Sequence, residues 1–240
     1  MRNDPLPSSH ASFWEDCLEI FYAPAAVFRR REAEGFFLPL VVLVVIMGAL
    51  FYLTRSAMAP IFDAEFHRAA AAAIKDNPKI TPEMMEQSRV MTRKFAGVVV
   101  IGFFLLGPFV VGLMLWLAGK LVEARQELTT SMMVATYSFY PRILEGILNA
   151  MQALLLPESR LTGRYSLSLG VGRLLNPDTV SPLLLAVVGR IDLFTLWVTA
   201  LLALGLSVTG KIPRGQAAIA AALVWLAGGL PSVLGALRAS

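Results

Sequence analysis

Long apolar runs separated by short polar breaks set the pattern of this chain. A helix needs about 20 apolar residues to cross the hydrocarbon core of a bilayer. Five segments approach that length, at residues 36–53, 96–118, 130–156, 192–208 and 216–236. The pattern predicts an all-α, polytopic integral membrane protein with five transmembrane helices. Pro39 falls in the first turn of the first span, where proline is tolerated. The second span carries Gly102, Gly107, Pro108 and Gly112, and the fifth carries Gly228, Gly229 and Pro231, so both are expected to bend or pack closely. In the fifth span Ala217 with Ala221, and Ala218 with Ala222, form small-xxx-small pairs suited to close helix packing.

Ahead of the first span, Phe13, Trp14, Cys17, Leu18, Phe21, Tyr22, Ala25 and Phe28 recur at helical spacing, with Glu15, Asp16 and Glu19 on another face. Such a segment reads as an interfacial amphipathic helix, interrupted at Pro24. Arg29, Arg30 and Arg31 follow it as a membrane anchor that orients the chain. The division expected is a cytoplasmic N-terminal segment, 1–34, and a five-span domain, 35–240. Ala57-Met58-Ala59 resembles a signal-peptidase site, but about 35 residues precede the apolar run and Pro60 would follow the cut. The first span is therefore read as retained.

Composition agrees with the membrane reading. Of 240 residues 56% are hydrophobic and only 16% charged, where soluble domains carry about 25% charged residues. Mean hydropathy is +0.64. The net charge of +4 is dispersed along the chain, which argues for lipid contact and against nucleic acid. A single cysteine, Cys17, and two distant histidines, His10 and His67, exclude an intrachain disulfide and a cysteine–histidine metal centre. No cofactor is expected. With the N-terminus cytoplasmic, eight Lys and Arg would lie inside and twelve outside, yet the residues beside the first span and in the short loops favour that orientation.

Between the first two spans, Thr81-Pro82-Glu83 predicts a helix start, with a hydroxyl cap, proline at the first position and an acid in the first turn. Met84, Met85, Ser88, Met91 and Phe95 then form a helical stripe running into the second span, read as packing rather than as copper ligands. The stretch 160–190 is a long connection whose apolar patch, 182–188, is too short to span.

The third span holds the candidate chemistry. Ser138, Arg142, Glu145, Asn149 and Gln152 follow one another at spacings of four, three, four and three, one polar stripe on a helix. A charge at the bilayer centre costs about 2.5–3.5 kcal/mol on insertion scales, so Arg142 and Glu145 must pair or face something other than lipid. The stripe is either a packed Arg–Glu pair with amides bonding across a helix interface, or a water-lined site for an anionic group.

Three stretches resemble the Yip family of multi-span membrane proteins, which includes Rab-interacting eukaryotic members and a bacterial branch. IFYAPAAVFRR before the first span is similar to the family's N-terminal signature. TYSFYPRILEGIL looks like its aromatic-proline motif, carried by Tyr137, Tyr140 and Pro141. IDLFTLWVTALLALGLSVTGKIPRGQAA resembles its fourth span, with Asp192, Phe194, Trp197 and Gly205 matching. The Asp-Leu-Tyr-Gly-Pro motif of the eukaryotic members is absent, so the bacterial branch is the better fit. For that branch the resemblance implies five spans, a cytoplasmic N-terminus and a bacterial inner membrane.

None of the sequence marks of intramembrane enzymes occurs: no Gly-x-Ser-x-Gly turn, no His-Glu-x-x-His pair and no phosphate loop. The expectation is a non-enzymatic scaffold or adaptor that assembles with other membrane proteins or with itself. The alternative is a small transporter or lipid-handling protein using the third-span stripe.

Overall fold

The computed structural model describes residues 12–77 and 79–238; His10 and part of the expected N-terminal segment 1–34 lie outside them. In chain order the first helices are α1 (Phe13–Glu19), α2 (Pro24–Arg31), α3 (Phe37–Thr54), α4 (Ala59–Asp76) and α5 (Pro82–Leu121). They are followed by α6 (Leu128–Ser138), α7 (Pro141–Leu155), α8 (Pro182–Val188), α9 (Leu193–Gly210), α10 (Arg214–Ala227) and α11 (Leu230–Arg238). Three 3-10 turns occupy the connection between α7 and α8. Among the described residues there is no strand beyond one bridging pair, Gly170 with Asp192.

Four units are long and apolar enough to cross a membrane: α3, α5, α9 and the segment Arg214–Leu237. The last is broken at Gly228–Gly229, where the glycines and Pro231 foretold a kink. Helix α5 runs unbroken through Pro108 and begins at Thr81, whose Oγ1 accepts from the Met84 amide at 3.3 Å. Its 40 residues rise about 60 Å, roughly twice the hydrocarbon thickness, so its N-terminal part projects from the membrane.

The third apolar segment departs from the single helix expected over 130–156. Helix α6 ends at Ser138, the chain turns at Phe139–Tyr140, and α7 begins at Pro141. Pro141 has no N–H to continue the ladder and its ring crowds the carbonyl four residues back, whereas the first position of a new helix suits it. The turn keeps its backbone bonded: the Tyr140 N–H donates to Tyr137 O and the Arg142 N–H to Phe139 O.

Polar contacts sort the helix ends into two groups. At one end the Arg125 N–H donates to Gly210 O, the Gln126 Nε2 to Ser131 Oγ, and the Thr209 hydroxyl to Gln126 Oε1. The Thr130 hydroxyl joins Glu32 O to the same end. At the other end Arg68 of α4 bonds Asp178 and Thr162 O, and Glu65 accepts from the Arg164 N–H. The α6–α7 pair runs between these ends as a broken segment.

Small residues set how closely the helices approach. A Cβ at Gly112 would strike the Met132 backbone where α5 meets α6, and one at Gly205 would overlap Val134 of α6 and Phe28 of α2. In α10, Ala217 and Ala221 are buried against the bundle, but Ala218 and Ala222 face outward, because only one side of that helix meets protein.

The N-terminal segment packs in part against the bundle. Trp14, Leu18 and Tyr22 are exposed along one face, but Ile20, Val27 and Phe28 are fully buried, and α2 packs along α9. Periodicity marks an apolar face without saying whether lipid or protein covers it. Protein covers part of it: Phe28 is buried, and Phe13, Cys17, Phe21 and Ala25 are half-buried.

Candidate functional site

Of the five stripe residues, Arg142, Glu145, Asn149 and Gln152 lie on α7, while Ser138 belongs to α6 beyond the break. Ser138 is buried and its hydroxyl has no hydrogen-bond partner among the described residues. Arg142 Nη1 donates to Glu145 Oε2 at 2.6 Å, and Arg142 Nη2 donates to Thr195 Oγ1 at 3.0 Å. Thr195 stands in the first turn of α9. That helix, about 27 Å long, just matches the hydrocarbon core, so its first turn lies at the border. The guanidinium therefore reaches from a buried turn towards the membrane edge, as long cationic side chains do. The guanidinium meets the start of α9 because the segment is bent, which a straight-helix reading of the sequence does not show.

Gln152 bonds outside the spans. Its Nε2 donates to Leu167 O at 3.0 Å and its Oε1 accepts from Arg173 at 2.8 Å, both in the connection that follows α7. Asn149 is half-buried and its side chain makes no hydrogen bond to the described residues.

Arg142→Ala is expected to lower stability by about 1–3 kcal/mol, because it strands the Glu145 carboxylate in a partly dry site. Arg142→Ala with Glu145→Ala should recover part of that loss. Melting temperatures of the purified variants check this, and equal losses would count against a coupled pair.

The aromatic motif forms the hinge of the bend. Tyr137 and Tyr140 are almost fully buried and stack with ring centroids 5.5 Å apart. The Tyr140 hydroxyl donates to Pro39 O at 3.1 Å and receives the Cys17 thiol at 3.6 Å, so it ties α1 and α3 to the break. Asp192 caps α9, its Oδ1 accepting from the amides of Phe194 and Thr195 at 3.0 Å each. Phe194 stacks on Trp197, which meets Phe21 edge-on and so reaches the N-terminal segment.

The three arginines part company. Arg29 is exposed. Arg30 and Arg31 turn inward onto Asp16, which is completely buried; Arg30 also pairs with Glu19 and Arg31 with Glu34. Periodicity put Asp16 on a polar face. An acid one short helix ahead of an arginine run was the available hint that it folds back.

Burial raises the Cys17 thiol above its ordinary pKa, partly offset by the hydrogen bond with Tyr140. Cys17 should therefore label slowly with a maleimide near neutral pH in folded protein and rapidly in SDS; equal rates would show the α1 packing to be open. Among the described residues no group of three metal-ligating side chains is present.

A bundle of apolar helices, broken once inside and once near its C-terminal end, defines an all-α multi-pass membrane protein. The chain matches the Yip1 domain model over residues 18–235 and belongs to that family. No curated protein and no solved structure matches it.

Proposed function

We propose that this Yip1-domain protein is a non-enzymatic membrane scaffold or adaptor, placed in a bacterial inner membrane with its N-terminus in the cytoplasm. One observation carries the reading. Helix α1 and the turn that follows it present Trp14, Leu18 and Tyr22 outward, each at least 66% exposed. Its opposite face is locked to the bundle through Asp16, Cys17 and Ile20. An aromatic stripe held on a rigid support suits a partner helix, since aromatic anchors dominate protein interfaces and lose little entropy when already ordered. The internal bonding of Arg142, Glu145 and Gln152 supports a structural role for the third-segment stripe.

A photo-crosslinking residue at Tyr22, in native membranes, should yield an adduct of discrete protein mass, a second copy included. Adducts with lipid alone would overturn the adaptor reading and leave α1 as a membrane-surface helix.

A transporter is the second reading, favoured by the buried Ser138 hydroxyl, which has no partner among the described residues and lies beside the helix break. Breaks at membrane depth must be buried in protein or line a cavity. In a Cys17→Ser background, Ser138→Cys and Asn149→Cys should each be tested with a membrane-impermeant thiol reagent. Silence at Ser138→Cys in folded protein is expected of a packed break. Reaction there would reveal water and favour transport.

A further inference from the structure

Helix α4 and the projecting part of α5 diverge. Between them, and above the end of α3, opens a cleft of about 1110 Å³. Pockets for drug-sized ligands usually hold about 300–1,000 Å³, so this one suits something larger, of lipid size. Its walls are apolar: Phe62, Phe66 and Ala70 of α4 face Met84 and Met85 of α5. On its other side α4 is fastened to the α7–α8 connection through Arg68 with Asp178 and Glu65 with the Arg164 amide. Across the cleft the two helices are linked by Asp63, which pairs with Arg93 and, at longer range, with Arg89.

The mouth of the cleft lies where the apolar runs of α3 and α5 end. Phe51 and Tyr52 line it where α3 ends, and Ala96 and Gly97 line it where α5 enters its apolar run. Two cations stand at that level, Arg55 just past α3 and Lys94 just before the apolar run of α5. Both are exposed, and neither has a carboxylate partner among the described residues; Arg55 lies over the Tyr52 ring at 4.2 Å. Arg93 and Arg89, by contrast, are occupied by Asp63 and Glu86. Uncompensated positive charge at headgroup depth, beside an apolar wall, is complementary to a phosphate joined to hydrocarbon. Each such cation contributes about 1 kcal/mol of attraction to anionic lipid near a membrane surface.

We infer that the cleft between α4 and α5 binds an anionic phospholipid, its phosphate on Arg55 and Lys94 and its acyl chain along the Phe62–Phe66–Ala70 face. The site is separate from the third-segment stripe and from the α1 surface. It gives the projecting hairpin a lipid-dependent shape, because the occupant bridges two helices that otherwise meet mainly at Asp63.

Native mass spectrometry of the full-length protein in mild detergent tests this, with phosphatidylglycerol and phosphatidylcholine of identical chains as probes. The expected result is one phosphatidylglycerol retained about tenfold more strongly than phosphatidylcholine. Arg55→Gln with Lys94→Gln should bring the two lipids level. Ala70→Trp, which fills the apolar wall, should reduce retention of both. The Arg55 and Lys94 changes are on exposed side chains, so that variant should keep the wild-type melting temperature and remain informative if Ala70→Trp misfolds. Equal retention of the two lipids by the wild type would overturn the proposal. So would undiminished preference in the double glutamine variant, or an Ala70→Cys disulfide dimer formed in native membranes, which would put a second copy in the cleft.

Discussion

Asp16→Ala should destabilise the protein by about 3–5 kcal/mol, the range found when one partner of a buried ion pair is removed. Asp16 is completely buried and receives both Arg30 and Arg31. Its loss leaves two guanidinium groups only partly matched, by Glu19 and Glu34. The effect should spread. Helix α2 carries Val27 and Phe28 into the bundle against α9, so loosening its C-terminal arginines also loosens that packing. Folded yield and melting temperature in detergent are the measurements. Asp16→Asn should fall between wild type and alanine, since an amide keeps one acceptor but no charge. A melting temperature unchanged by Asp16→Ala would mean that the arginines find water or lipid phosphate instead. Arg29 and Arg31 would then be equivalent anchors, as the sequence alone suggested.

Tyr140→Ala is expected to cost about as much, about 3–5 kcal/mol, by a different route. It removes a large ring that is 1% exposed, opening a cavity between the broken third segment and α3. It also deletes the hydroxyl that joins Cys17 to the Pro39 carbonyl. Tyr140→Phe separates the two contributions. It keeps the ring and the stack on Tyr137, so only the hydrogen bond is lost and the cost should be about 0.5–1.5 kcal/mol. Because the hydroxyl also engages Cys17, the phenylalanine variant should speed maleimide labelling of that thiol. Alanine and phenylalanine variants of equal stability would mean that the hydrogen bond, not the packed ring, holds the bend.

Both residues stand where the sequence showed composition but not geometry. Tyr140 and Pro141 were legible as an aromatic-proline motif, yet Pro141 was read as lying within a straight span. The same residue ends one helix and begins another. That difference moves Ser138 off the stripe and lets the Arg142 guanidinium meet Thr195 at the start of α9. Residue spacing gives faces only while a helix is continuous. A break resets the angle, and the four-three-four-three pattern then relates four residues instead of five.

Asp16 teaches a second limit. Helical periodicity separates an apolar face from a polar one, and the polar face of a short surface helix is ordinarily solvated. Here the chain turns at Ile20–Ala23 and folds α2 back, so the polar face of α1 meets the arginines that follow. The cleft between α4 and α5 shows the same limit from the other side. The methionine stripe of α5 reads as packing, but Met84 is 54% exposed and lines the cleft, while α4 is fastened to residues about 100 positions later in the chain.

What the sequence determined by itself is the solvent in which the protein folds and the material of its spans. Apolar runs of bilayer length force helices, because a backbone in lipid must satisfy its own hydrogen bonds. The glycines at 228 and 229, the cap at Thr81 and the cap at Asp192 act through neighbours a few residues away, so local sequence specified them. Tertiary structure alone decided which polar groups meet: Arg142 with Thr195, Asp16 with two arginines, Gln126 with Thr209, and Arg68 with Asp178. These pairings follow from how closely Gly112 and Gly205 let the helices approach and from where Pro141 bends the chain. Distances between elements are set by packing across the bundle, and no periodicity within one element carries them.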